Sequence, residues 1–184
     1  MDDVERLRAE RDIYAVMTRY ARGVDRVDPD LIRSCYHPDA TDDHGSYRGD
    51  VEGFVTWVCD LIGSMEICQH VVNNFSVDVQ GDRAVAETYM SSHARVRDDG
   101  GRTLNRITDV RFLDRLERRD GGPWLIARRT VVFDWIQVWP SEPYVPAGVA
   151  GAQGGEDPSA AFLADWRAET GSGAAWLAGP VASR

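Results

Sequence analysis

Apolar side chains recur at helical spacing in the first part of the chain. Between Asp2 and Val24 most neighbouring members of the pattern stand three or four positions apart, which is typical of a helix that buries one stripe. The members of this stripe are Val4, Leu7, Ile13, Met17, Tyr20 or Ala21, and Val24. The segment "DPDLIRSCY" predicts a short second helix capped by Asp28, and the apolar spacing within residues 51–63 predicts a third.

After residue 66 the period of the pattern changes from helical to two. Four long runs are typical of β-strands: "ICQHVVNNFSVDV", "AVAETYMSSHARV", "TLNRITDVRFLDRLE" and "WLIARRTVVFDWIQVW". The segments "QGD", "RDDGG" and "RRDGGP" between them are typical of hairpin turns. Helices followed by a meander of strands predict an α+β fold, in which the helices pack on one face of a curved antiparallel sheet.

Composition changes again at Pro140. The following stretch is rich in Pro, Gly and Ala, apart from the helical patch "AAFLADWRAE". We therefore expect one domain over residues 1–139 and a partly flexible arm over residues 140–184, which lies on the surface or covers a neighbouring subunit.

Overall composition narrows the class of protein. The chain has 184 residues, of which 43% are hydrophobic and 28% charged, the balance of a globular domain. A net charge of −9 argues against nucleic-acid binding, which needs clustered Lys and Arg. Three cysteines without metal-like spacing indicate reduced thiols. The N-terminus is charged where a secretory signal needs an apolar core, and no run approaches the about 20 apolar residues of a membrane span. We expect a cytoplasmic protein.

The order of elements, with "YARGVDRVDPDLIRSCYHPDA", "GDRAVAETYMSSHARV" and "RRDGGPWLIARR", resembles the SnoaL-like branch of the nuclear transport factor 2-like superfamily over residues 5 to 139. The resemblance implies a cone, or α+β barrel, in which a strongly curved antiparallel sheet wraps around the N-terminal helices and leaves an apolar pocket at its open end. Within the branch the chain is similar to enzymes like scytalone dehydratase, bile-acid 7α-dehydratase and hexachlorocyclohexane dehydrochlorinase. Those enzymes carry an Asp at the end of the first helix and a His near the start of the first long strand, and Asp25 and His70 stand at these places.

This pair of residues can perform acid–base chemistry. A carboxylate that fixes the tautomer of an imidazole makes a general base suited to removing a proton from carbon next to a carbonyl. Asp25 as a helix-end acid bonded to the next loop, and His70 as a half-buried structural histidine, are the plainer interpretations.

The resemblance implies further site residues. Tyr20, His93 and Arg129 are candidates for donating a proton or stabilising negative charge, although alternation leaves open which of Arg128 and Arg129 faces the pocket. Tyr47 and Trp124 are candidates for binding the substrate on the same grounds, and the polar or aromatic character of predicted strand residues adds Asn74, Phe133 and Trp135. For His93 a solvated position is the plainer interpretation, for Tyr20 and the aromatic residues a place in the core, and His37 and His44 are expected on the surface.

The leading hypothesis is a cofactor-independent lyase of the dehydratase type acting on a small hydrophobic cyclic substrate. An isomerase or polyketide cyclase would begin with the same proton abstraction. A ligand-binding or assembly module and an accessory subunit of a ring-hydroxylating oxygenase are the rivals from other classes. No step needs a metal or organic cofactor, and neither HExxH spacing nor a phosphate-binding loop is present. Exposed strand edges favour a homo-oligomer, a trimer or a dimer.

Overall fold

Helices packed on a six-stranded sheet form the body of the protein, in a computed structural model that describes residues 1–142 and 147–172. The helices are α1 (Asp3–Asp25), α2 (Pro29–Arg33), α3 (Val51–Gly63) and α4 (Pro158–Thr170), with a single 3₁₀ turn at Gly154–Glu156. The strands are β1 (Tyr36–Asp43), β2 (Arg48–Asp50), β3 (Ile67–Gln80), β4 (Arg83–Arg97), β5 (Thr103–Arg118) and β6 (Trp124–Pro140).

The sheet follows the order β2-β1-β6-β5-β4-β3. This confirms the predicted α+β class, with α1 packed across β3 and β6 and α3 against β1. The sheet stays open, with β2 and β3 at its edges, and β1 lies parallel to β6 while every other neighbouring pair is antiparallel. No tight hairpin joins β1 to β6, so the turns that fix the direction of the other long strands do not fix this one.

Helix α1 begins with a capping box. The Asp2 side chain accepts a hydrogen bond from the backbone N–H of Glu5, and the Glu5 side chain accepts one from the backbone N–H of Asp2. Burial along α1 starts only at Ala9, so Val4 and Leu7 are 57% and 63% exposed instead of lying in the buried stripe. The helical period is correct, but the first two turns extend past the core.

A bulge in β6 settles which arginine turns inward. Arg115 pairs with Arg128 and Leu116 with Ile126, so one extra residue, Ala127, shifts the alternation of β6. Before the bulge Ile126 is buried; after it Arg129 is buried and Arg128 is exposed.

A second bulge, in β3, turns a predicted site residue outward, whereas the bulge in β6 turns one inward. The pairing of β3 with β4 shifts between Val72 and Phe75. Cys68, His70 and Val72 face the core side before it, as alternation predicts, but Asn74 then falls on the exposed outer side. The expectation that Asn74 shares the face of His70 is therefore wrong.

Residues 147–172 of the arm fold back onto the domain. The Gly154 N–H donates to the Arg26 carbonyl at 2.9 Å, and buried Asp157 pairs with Arg26 at 3.3 Å. The predicted helical patch lies in α4, whose Leu163 is buried. The domain boundary after residue 139 stays a prediction. Residues 143–146 and the end of the arm beyond residue 172 lie outside the described residues.

No helix in the described ranges is long and apolar enough to cross a membrane.

Candidate active site

The last turn of α1 brings an acid to the inner side of the sheet. Gly23 lets α2 approach closely, because a Cβ at this position would lie 3.0 Å from both Ile32 Cγ1 and the Ile32 backbone nitrogen. Asp25 follows as the final helical residue and is only 8% exposed. An acid at a helix C-terminus meets the negative end of the helix dipole, so this buried carboxylate needs strong compensating contacts.

His70 on β3 supplies those contacts. Its Nδ1 atom lies 2.7 Å from Asp25 Oδ1, and its backbone N–H donates to both carboxylate oxygens at 2.9 Å. Both side chains are 11% exposed. Because the carboxylate accepts from Nδ1–H, the tautomer is fixed and Nε2 is the ring atom left for a bound molecule.

The surroundings change the basicity of His70. Burial by itself lowers the pKa of an imidazole, but the hydrogen bond to Asp25 and the contact with Cys68 outweigh it and raise the pKa of His70 to about 10. The ring nitrogen that remains available is therefore a stronger base than an ordinary histidine.

Cys68 lies beside this pair. Its Sγ atom is 3.8 Å from His70 Nδ1 and 3.4 Å from Ser92 Oγ. Asp25, Cys68 and His70 thus bring potential metal-ligand atoms within 4.8 Å of one another. The hydrogen bonds assign these atoms another role, since both Asp25 oxygens accept from His70 and His70 Nδ1 carries the shared proton.

A cavity of about 320 Å³ opens in front of His70. Tyr20 of α1, Phe112 of β5 and Phe133 of β6 line it together with aliphatic side chains of α3. The polar groups on its wall include Ser92 of β4 and Arg106 and Thr108 of β5, besides His70 itself. Apolar walls with a few convergent polar groups are typical of a site for a small organic molecule.

Three of the predicted site residues line this cavity: His70, Tyr20 and Phe133, with Asp25 directly behind His70. Burial raises the pKa of Tyr20 well above its ordinary value, so its phenol stays protonated and its ring serves as wall.

Other predicted residues lie elsewhere. His93 is exposed on β4, paired with Gln69. Trp135 is 48% exposed on the outer side with Asn74, because a further bulge shifts β6 between Phe133 and Trp135. The Tyr47 hydroxyl donates to the Asp50 carbonyl at 2.8 Å. Trp124 is buried under the Arg118 guanidinium, away from the cavity.

Arg129 lies beneath the cavity in an ion pair that is fully buried. Its Nε and Nη2 atoms donate to the two oxygens of Asp114 at 2.8 and 2.7 Å. The guanidinium also lies over the rings of Tyr20 and Phe112, 4.3 and 4.1 Å from their centroids. Arg129 therefore supports the cavity floor and does not line the cavity, in contrast to its predicted role beside the substrate.

His44 is the residue that sequence reasoning missed. It was expected on the surface because the sequence around it is typical of turns, yet it is only partly exposed and lines the cavity. His37, with the same expectation, is buried, with its Nε2 atom 3.1 Å from the Glu117 carbonyl oxygen. The signal available for His44 was the alternation of β1, which places Asp42 on the buried side next to it.

The open cone of a bent sheet over helices is the fold of the nuclear transport factor 2-like proteins, as the sequence predicts. The family model of the SnoaL-like domain matches residues 5–130, and the chain belongs to this family. No curated protein matches the chain significantly in sequence.

Solved structures confirm the fold at low sequence identity. A hexachlorocyclohexane dehydrochlorinase, LinA type 2, superposes with a TM-score of 0.69 at 18% identity, over 80% of this chain and 100% of that one. A candidate scytalone dehydratase from Novosphingobium aromaticivorans gives 0.62 at 17%, over 80% and 97%. A single-residue variant of the Mycobacterium tuberculosis protein Rv3472, whose function is unknown, gives 0.58 at 21%, over 91% and 92%.

Proposed function

We propose that this protein is a cofactor-independent lyase that eliminates water or a similar leaving group from a small, largely hydrophobic cyclic substrate. In this proposal His70 removes a proton from carbon, and Asp25 orients the imidazole and stabilises its charged form. The name of one structural neighbour, a dehydrochlorinase, and that of another, a candidate dehydratase, fit elimination chemistry.

The observation that carries the proposal is the contact between His70 and Asp25 at the wall of an apolar cavity. The 2.7 Å distance from Nδ1 to Oδ1 lies in the range of a working base and its orienting group. A filled cone with Asp25 turned to solvent would have favoured a scaffold without catalysis, but Asp25 is buried and the cavity is present.

Proton removal next to a carbonyl also needs a group that stabilises the developing enolate oxygen. Arg106 lines the cavity, and its Nη2 atom contacts only the Met65 sulfur, at 3.7 Å, with no carboxylate within ion-pair distance among the described residues. We assign to Arg106 the part that sequence reasoning assigned to Arg129. Its guanidinium also selects for a substrate with a carbonyl or another electron-rich oxygen on the ring.

The direct test is turnover. Purified protein is incubated with hexachlorocyclohexane and with β-hydroxycyclohexanone, and the release of chloride and the formation of cyclohexenone are followed. We expect elimination from at least the hydroxyketone above the rate without protein. Folded protein that converts neither compound would count against the lyase assignment. A shifted double bond or a closed ring in the product would instead indicate an isomerase or cyclase using the same base.

The rate is expected to rise with pH. A base must be neutral to accept a proton, and His70 titrates above the ordinary value of 6.5, so kcat/KM for proton exchange at the α-carbon of a ketone without a leaving group should increase from pH 6.5 and level off only near the raised pKa of about 10. An apolar substrate that covers His70 further disfavours the imidazolium, so kcat should level off at a lower pH than kcat/KM. The measurement is a pH–rate profile, from which the rate with His70→Gln protein at each pH is subtracted as the background. A rate that falls over this interval would assign His70 as an acid.

We also propose a cytoplasmic homo-oligomer, a dimer or a trimer. The three cysteines are free thiols, as a reducing compartment requires. Apolar side chains on the outer side of the sheet are open to solvent, among them Val85, Tyr89 and Leu113 at 53%, 43% and 40%. Light scattering after size exclusion gives the mass in solution, and a monomer would contradict this part of the proposal.

A further inference from the structure

The cavity holds a second histidine–aspartate pair. His44 Nδ1 lies 2.7 Å from Asp42 Oδ1, the same separation that joins His70 to Asp25. The His44 side chain is 13% exposed and that of Asp42 is completely buried. The arrangement described for His70 is therefore repeated at the end of β1, with Asp42 on the strand, His44 directly after it and Nε2 again the ring atom left over.

A chain of buried polar groups holds this second pair in place. Asp42 Oδ2 accepts from the Tyr36 hydroxyl at 2.8 Å, and the Tyr36 oxygen accepts from Arg129 at 3.3 Å. Burial raises the pKa of Tyr36 well above its ordinary value, so the phenol remains a donor to Asp42. Arg129 is fixed in turn by Asp114.

Such a network of buried polar groups is a costly way to stabilise a fold, because each buried charge loses its hydration. Apolar residues of the same volume often stabilise a fold equally well. In this chain of contacts the group that reaches the cavity is the imidazole of His44. The arrangement is better explained as positioning that ring.

His44 and His70 line the same cavity. The His44 ring packs between Phe54 and Phe112, with centroids 4.9 and 5.7 Å away, and Phe112 also packs on Tyr20 at 5.6 Å. His70 lines the same cavity from β3. Neither Nε2 atom has a hydrogen-bond partner among residues 1–142 and 147–172. The cavity wall thus carries two oriented imidazoles, that of His44 directly after β1 and that of His70 on β3.

We propose that His44 is the general acid of the elimination, the catalytic residue that protonates the leaving group; this inference rests on the proposed function. An elimination of water needs this second proton transfer, because hydroxide is a poor leaving group. His93 was one candidate for this step from the sequence, but it is exposed and outside the cavity.

The step is balanced without any co-reactant. The bond between Cα and its hydrogen breaks, and the proton goes to Nε2 of neutral His70. The electron pair left on Cα forms the double bond to Cβ, and the C–O bond at Cβ breaks with its pair on oxygen. Nε2–H of protonated His44 gives its proton to that oxygen, and water leaves. Exchange with solvent then restores both histidines.

The test compares two leaving groups on one ring. β-Hydroxycyclohexanone loses hydroxide and needs an acid, whereas β-(p-nitrophenoxy)cyclohexanone loses a stable phenolate and does not. For His44→Gln we expect kcat to fall by about 100-fold or more on the hydroxyketone and by less than about threefold on the nitrophenyl ether. His44→Phe, which keeps the aromatic volume without a titratable group, should behave in the same way.

His70→Gln is the matched variant and should lose both activities, since both reactions need the base. An equal loss on the two compounds, or no loss on either, in the His44 variants would overturn the acid assignment and leave the lyase proposal intact. If the His70 variant, and not the His44 variants, showed the leaving-group dependence, the two roles would be reversed. Absence of turnover of both compounds by the unaltered protein would refute the proposed function itself, and this inference with it.

Discussion

Replacing His70 with glutamine is expected to reduce kcat/KM for β-hydroxycyclohexanone by about 100-fold to 10,000-fold, the range that general acid–base catalysis contributes. Glutamine keeps a polar side chain of similar length but cannot accept a proton near neutral pH. Initial rates of cyclohexenone formation measure the effect, with circular dichroism to show that the variant is folded.

The matched control is His93→Gln. This histidine lies on the neighbouring strand β4 but is exposed and outside the cavity, so its replacement should leave the rate within about twofold of the original. Asp25→Asn should approach the loss of the His70 variant, since an amide no longer holds the ring in the tautomer that leaves Nε2 unprotonated. Equal rates for His70→Gln and His93→Gln would contradict the base assignment.

Replacing Arg129 with leucine is expected to lower the free energy of unfolding by about 3–5 kcal/mol. The change leaves Asp114 buried without its partner, and it removes the cation that lies over Tyr20 and Phe112. Urea unfolding followed by tryptophan fluorescence measures the loss. Arg128→Ala is the control one residue away, and because Arg128 is exposed the expected change is within about 0.5 kcal/mol.

A double variant distinguishes two causes of the loss of stability: the loss of the charge partner of Asp114 and the loss of packing around Arg129. In Arg129→Leu with Asp114→Leu no buried charge is left unpaired, so most of the stability should return. This variant also keeps the test valid if Arg129→Leu alone does not fold. A double variant as unstable as the single one would show that packing, and not the unpaired carboxylate, causes the loss.

The class of fold was predictable because it depends on the period of the hydrophobic pattern and on the order of helices and strands along the chain. The long helix ending at Asp25, the cap at Asp28 and the four long strands all follow from spacing and turn residues. The pair of Asp25 and His70 was predictable only through the resemblance to a family. The two residues are 45 positions apart, and nothing in the local sequences "GVD" and "CQH" shows that the fold brings them into contact.

Strand bulges limited the rest of the site prediction. A bulge moves every later side chain of its strand to the opposite face, and it has no reliable signature in a single sequence. The bulge in β3 removed Asn74 from the face of His70, and the bulge at Ala127 decided between Arg128 and Arg129. His44 escaped prediction for a different reason: its turn-rich surroundings conceal that Asp42, two residues earlier, is fully buried.

The most direct measurement is hydrogen–deuterium exchange at the α-carbon of a ketone without a leaving group, such as β-tetralone in heavy water, followed by proton NMR. It isolates the removal of a proton from carbon, the step that the elimination, the isomerisation and the cyclisation have in common. With His70 as the base, we expect the protein to accelerate this exchange, His70→Gln and Asp25→Asn to abolish the acceleration, and His93→Gln and His44→Gln to retain it. Exchange that is equally fast with His70→Gln would contradict the assignment of His70 as the base.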